Sequence, residues 1–352
     1  MIKEQSAGKY HGILLMALFA CASCFIGEWS LLKSLSISPL IIGIILGMAY
    51  ANSLRNHLPE TWVPGIRFSS KTLLRLGIIL YGFRLTFQDV VAVGIPGITV
   101  DAIIVVVTIL GGVWVGRMIK MDRDTALLTS IGSGICGAAA VLGAEATMNT
   151  KPYKTAVAVA TVVIFGTLSM FLYPIGYSMG LIELTPDEMG IFAGSTLHEV
   201  AHAVGAGNAM GEEIANTAII VKMIRVMMLV PVLLVLGWWV AAKARRAACT
   251  AGSAEEGQSV KAGKVQVPWF AFWFLAVIGF NSLDLLPAPV VEWVNWVDTF
   301  LLTMAMAALG AETSFDKFKK AGPKPFLLAA ILYIWLLVGG YILASQLVPV
   351  LQ

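Results

Sequence analysis

Charge is what this chain has least of. Only 13% of its 352 residues are Asp, Glu, Lys or Arg, about half the share usual in a soluble domain. The net charge of +3 is too small, and too confined to short loops, for a nucleic-acid binder. Cysteine is scarce as well. Cys21, Cys24, Cys136 and Cys249 offer no disulfide framework, and the Cys21-x-x-Cys24 pair lies in an apolar run without a second pair, which reads as packing. No polar stretch is long enough for a soluble domain. The longest, 243–266, is rich in Lys, Arg, Gly and Ser and reads as a cytoplasmic linker.

Apolar residues fill the space that charge leaves. They make up 58% of the chain, and the mean hydropathy is +0.83. Apolar stretches lie at 11–27, 38–52, 69–86, 95–116, 154–180, 215–242, 268–283, 298–312 and 325–348, each approaching the roughly 20 residues that cross a bilayer. The first could pass for a signal peptide behind Lys3 and Lys9, but the many spans after it favour an uncleaved first transmembrane helix. Two further segments, 125–148 and 190–210, are rich in Gly, Ala and Ser.

The short loops carry the orientation signal. Positive loops are the N-terminus, 53–71, 117–123, 151–154, 243–264 and 317–324, whereas 86–95, 181–189, 211–213 and 284–292 are acidic or neutral. Strict alternation of eleven spans would set Lys151 and Lys154 against the acidic 181–189 loop on the wrong sides. If 125–148 and 190–210 each enter and leave on one side, most of the pattern falls into place, with nine full spans, a cytoplasmic N-terminus and an external C-terminus. Broken helices that cross fully are the alternative.

The chain also aligns with itself. Residues 73–112 match 301–340 at a constant offset of 228, with Leu73/Leu301, Gly82/Gly310, Gly94/Gly322, Ala102/Ala330, Gly111/Gly339 and Gly112/Gly340 identical. At an offset of 62, Gly132-Ser133 matches Gly194-Ser195 and Gly143-Ala144 matches Gly205-Ala206. Under the charge-derived topology every aligned pair runs in opposite directions, the mark of inverted-repeat transporters. One repeat then covers about 38–180, and the other is split into about 190–242 and 268–348, within a single transmembrane domain spanning 1–352.

Gly132-Ser133-Gly134-Ile135-Cys136-Gly137 and Gly194-Ser195-Thr196 let the backbone leave helical geometry at membrane depth. Two such breaks meeting at the midplane would aim helix N-termini at one point, a natural seat for an anion. Close helix packing is the plainer use of the same glycines. Ionisable residues in these spans are functional candidates by default. Lys222 and Arg225 share a helix face and could balance an anion or neutralise Glu145 or Glu199. His198 and His202 could carry a coupling proton or make structural hydrogen bonds. Arg75 and Arg84, near span ends, are expected to snorkel.

His198-Glu199-Val200-Ala201-His202 fits H-E-x-x-H, the zinc-protease signature. An intramembrane metalloprotease is therefore an alternative, with Asp284 as the candidate third ligand, and an anion channel is another.

Gly65-Ile66-Arg67-Phe68-Ser69-Ser70-Lys71, the run Leu73 to Leu85, Gly132 to Gly137, and Ala193-Gly194-Ser195-Thr196-Leu197-His198-Glu199-Val200-Ala201-His202 resemble the YeiH-type family of bacterial inner-membrane proteins, generally labelled sulfate exporters. The resemblance implies kinship with the bile-acid/sodium symporter and cation/proton antiporter superfamily, and with it a panel domain and a core domain with interrupted helices crossing at the substrate site. It also implies sulfate or a related sulfur oxyanion as cargo.

The expectation is an all-α polytopic membrane protein with inverted repeats, a panel near 11–52 and 268–283, and a core bearing both glycine-rich interrupted or re-entrant helices. It is expected to be a secondary transporter rather than an enzyme, with no cofactor or metal and no nucleic-acid partner. Its partners would be a small anion, the lipid bilayer and a coupling ion (H+ or Na+), and a homodimer is compatible with the sequence. Ser133, Gly134, Cys136 and Gly137 would contact substrate from one side, Ser195, Thr196 and His198 from the other. Lys222 or Arg225 would balance its charge, and Glu145, Glu199 or His202 would handle protons.

Overall fold

The structure, a computed structural model, describes residues 2–29, 39–53, 59–148, 150–250, 268–313 and 322–351. The linker at 243–266, and part of the basic loop at 317–324, lie outside the described residues or have no described side chains. The described residues are nearly all helical, with no strand among them. Among the described residues six helices are long and apolar enough to cross a membrane, the outcome that few charges and long hydrophobic runs require.

In chain order the elements are α1 (Ile2–Gly27), α2 (Pro39–Ser53), α3 (Val63–Phe68), a π turn (Ser69–Leu73), α4 (Leu74–Tyr81), α5 (Phe87–Met118), α6 (Arg123–Gly134), α7 (Ala138–Met148), α8 (Pro152–Ser178), α9 (Pro186–Thr196) and α10 (Val200–Met210). Then come α11 (Glu212–Met227), α12 (Leu229–Thr250), α13 (Trp269–Asn281), α14 (Ala288–Glu312), α15 (Pro323–Ile342), a second π turn (Leu343–Leu347) and α16 (Val348–Leu351). Cys21 and Cys24 sit in α1 as free thiols.

One layer is built from α1, α2, α3, α4, α13 and α14. Its helices meet at glycines. A Cβ on Gly47 would run into the Ala307 carbonyl, and one on Gly310 into the Ile44 carbonyl, so α2 and α14 cross backbone to backbone. This layer is wider than the expected panel at 11–52 and 268–283, because 63–84 and 288–312 pack into it. An ion pair ties α14 to the segment after α4: Arg84 donates to Asp298 at 3.2 Å, to the Asn295 carbonyl and to Thr299.

The second layer holds the two glycine-rich segments. Each begins at a side-chain cap: Asp122 accepts from the Thr125 amide, and Thr185 closes a capping box with Glu188. Their helices are too short to span. At about 1.5 Å per residue, the 12 residues of α6 and the 11 of α9 reach about half of a ~30 Å hydrocarbon core. Packing fixes their directions. Lys154 pairs with Asp122 and Asp124 at the start of α6, and Gly132 near its end faces Val162, so α6 runs parallel to α8. Gly132 also faces Val141, which requires α7 to fold back beside α6. In the second segment Gly190 faces Thr217 and Gly194 faces Val221, so α9 runs parallel to α11, while the close turn from α10 to α11 brings Gly207 against Ala215.

Both segments are thus hairpins that go in and come back. The breaks fall at Ile135-Cys136-Gly137 and Leu197-His198-Glu199, positions that differ by 62. The helix sets α6–α8 and α9–α11 run in opposite directions, since α8 lies parallel to α10, with Gly166 of α8 facing His202 and Gly205 of α10 facing Met170. The helices outside them pair off in the same way: Gly112 of α5 packs on Ser130, and Gly340 of α15 packs on Phe192 and Thr196.

Candidate functional site

The two breaks meet at α11. Lys222 and Arg225, three residues apart, are both fully buried. Arg225 donates from Nε to the Gly134 carbonyl at 2.8 Å, from Nη2 to the Ser133 carbonyl at 2.9 Å and from Nη1 to the Leu197 carbonyl at 3.1 Å. Lys222 donates to the Ile135 carbonyl at 3.1 Å and also to the Leu197 carbonyl. A helix C-terminus leaves carbonyls without intrahelical partners and carries partial negative charge. These two cations answer that need for α6 and α9 at once, and fix the tips of both hairpins to one helix.

Ser133 and Gly134 meet Arg225 through their backbone carbonyls. Ser195 and Thr196 turn their hydroxyls onto the Phe192 carbonyl of their own helix, and Thr196 is also bonded to Tyr173. His198 and His202 are buried against Gly166 of α8. Glu145 lies on α7 away from the lining of both cavities described below. Asp101, to which sequence reasoning gave no role, is fully buried with neither carboxylate oxygen hydrogen-bonded among the described residues. It interacts electrostatically with both Arg225 and Lys222.

The other ends of the broken helices open on space. A cavity of about 660 Å³ lies between the layers, lined from one side by Tyr50, Arg67, Ser70, Lys71, Arg75 and Glu312 and from the other by Cys136, Ala138, Ala139, Glu199, Val200 and Ala201. The first turns of α7 and α10 therefore reach its wall. Gly137 makes the approach possible: its φ is +74°, and a Cβ there would collide with Glu199. The Glu199 carboxylate accepts from the Ala138 amide at 3.3 Å, so an anionic group already rests at the α7 N-terminus.

Arg67, Lys71 and Arg75 were not expected in the site, and Arg75 had been expected to snorkel. The available signal was their spacing of four, which puts them on one helix face. A smaller cavity of about 260 Å³ lies at the opposite, acidic end, beside Asp89, Asp187, Glu213 and Asn216. There Tyr81 of the first layer donates to Asn216 of the second at 2.9 Å.

The H-E-x-x-H residues diverge. Glu199 faces the large cavity, while both histidines turn to α8. Among the described residues no group of three His, Cys, Asp or Glu side chains is placed to hold a metal ion. Asp284 lies in the turn after α13.

The profile of the family described as conserved hypothetical protein 698 matches residues 11–329. A UPF0324 membrane protein of Bacteroides thetaiotaomicron is 65% identical over 97% of this chain and 99% of its own length. One from Pseudomonas putida is 46% identical over 95% of this chain and 92% of its own. One from Neisseria meningitidis is 42% identical over 95% and 96%.

Proposed function

This chain belongs to the conserved hypothetical protein 698 family, whose relatives are membrane proteins, and on that footing we propose that it is a secondary active transporter of a small inorganic or organic anion. The observation that carries this reading is the cavity between the layers, with the first turns of α7 and α10 at its wall. Free amides and the positive ends of two helix dipoles suit an anion, and sulfate or a related sulfur oxyanion is the first cargo to test.

Alternating access follows from two layers that rock about the hairpin tips, in the manner of inverted-repeat transporters. Cys136 and Gly137 lie at the α7 N-terminus and would contact the substrate. Lys222 and Arg225 add positive potential from behind while holding the tips together. Glu199 occupies the anion's place and is the proposed coupling acid: protonated, it yields the α7 amide to substrate. In the membrane the basic end, with Arg117, Lys120 and Lys151, is assigned to the cytoplasm by the positive-inside rule, which sets the C-terminus outside.

The test is sulfate flux into and out of proteoliposomes holding the purified protein, with and without a pH gradient. Saturable flux, competed by sulfite or thiosulfate and uncoupled from pH by Glu199→Gln, is the expected result. Absence of flux with every oxyanion tried would overturn the reading, and flux that never saturates would favour a channel.

A further inference from the structure

The charged residues of the large cavity are three cations and two carboxylates on the first layer and one carboxylate, Glu199, on the second. The cations, Arg67, Lys71 and Arg75, all lie on the α3–π turn–α4 segment. At 3.6 residues per turn, side chains four apart drift around a helix by about 40° each step. The π turn at Ser69–Leu73 puts more residues into a turn and takes up much of that drift. The three cations thus stay on the face turned to the cavity, rising about 6 Å per step.

All three are exposed there, and none of them makes an ion pair among the described residues. The Arg75 guanidinium lies over the Phe270 ring, 5.8 Å from its centre. Three carboxylates also line the cavity, Glu60, Glu199 and Glu312. Two of these accept hydrogen bonds, Glu199 from the Ala138 amide and Glu312 from Ser70. At Arg75, inside the self-aligned run, the position 228 residues further on is Thr303, so the fold does not demand charge there.

We propose that Arg67, Lys71 and Arg75 form a ladder of positive charge that passes an anionic substrate, with preference for a dianionic oxyanion, from the mouth of the cavity to the seat between the hairpin breaks. The proposal rests on the anion-transport reading and names residues and a selectivity for it. A charged wall in a low-dielectric cleft concentrates counter-ions and raises their rate of arrival.

Cys136 lines the inner end of the cavity and reports on the ladder without any transport. Cys21, Cys24 and Cys249 are replaced by Ser, and the full-length protein is labelled with methanethiosulfonates bearing either a sulfonate or a trimethylammonium group. The sulfonate reagent is expected to react faster, and Lys71→Gln with Arg75→Gln to lower the ratio of the two rates by about tenfold. Arg75→Lys is expected to keep the ratio and to show that the site still folds. In sulfate flux, the double variant is expected to raise KM several-fold with a smaller change in kcat. A rate ratio that does not move in the double variant overturns the ladder, even if sulfate flux is intact. A ratio that falls while no oxyanion is transported supports the ladder and sinks the transport reading alone.

Discussion

Gly137 shows what a single position contributes. Its left-handed φ and the Glu199 side chain beside it leave no room for a Cβ. Gly137→Ala is expected to cost about 1–2 kcal/mol for the backbone, in addition to displacing the glutamate from the Ala138 amide. Gly111 is the control, since a Cβ there meets nothing within 4 Å and Ala is the better helix former. Melting temperatures in detergent should fall for Gly137→Ala and hold or rise slightly for Gly111→Ala. Equal effects would remove the special role of Gly137. Lys222 and Arg225 make the complementary point. Sequence places them at membrane depth on one face, but whether they meet substrate, carboxylate or backbone depends on what folds against them. The partners are carbonyls of two hairpins, 87 and 25 residues away for Lys222.

At the scale of elements, each hairpin depends on its root. Asp122 caps α6 and pairs with Lys154 at the start of α8, so it joins the way into the first hairpin to the helix after it. Slight burial raises the Asp122 carboxyl, but hydrogen bonds from Lys154 and Thr125 outweigh this and hold it below the ordinary aspartate range. A depressed carboxylate contributes stability that is present above the unfolded pKa and is lost as pH falls through the folded one. The contribution is therefore complete at pH 7 and fades only below about pH 4. Half-exposed as the group is, it is worth less than about 1 kcal/mol. Asp122→Asn is expected to lower stability slightly at pH 7 and to match wild type under strong acid. A difference in thermal shift that stays constant down to pH 3 would rule this out. The π turn of the α3–α4 segment works at the same scale, because it decides which way Arg67, Lys71 and Arg75 face.

Across the whole molecule, the large cavity is open between the layers at the basic end, while Tyr81 and Asn216 bridge them at the acidic end. On the proposed alternating access, rocking would break that bridge. Tyr81→Phe removes a bond worth about 1 kcal/mol, which permits a shift of up to about fivefold toward the opposite state. Labelling of Cys136 by the sulfonate reagent from the basic side is expected to slow by no more than that factor. Faster labelling would mean that the bridge does not hold the acidic end shut.

Sequence alone determined the solvent, because a chain with so few charges and such long apolar runs has nowhere but a bilayer to place them. Gly132 to Gly137 and Gly194-Ser195-Thr196 marked where glycine permits a break. The first break falls at Ile135-Cys136-Gly137 within its run, whereas the second falls at Leu197-His198-Glu199, just past its run, which stays helical. The profile match to residues 11–329 gives the conserved hypothetical protein 698 family without giving a cargo. Tertiary structure alone decided which end of each broken helix faces the cavity, since that depends on contacts between residues far apart in the chain. It engaged Ser195 and Thr196 with their own helix, turned His198 and His202 away from Glu199, and brought Arg67, Lys71 and Arg75 into the cavity wall. Burial, and what lies across an interface, are properties of the packed molecule, and no local pattern of residues encodes them.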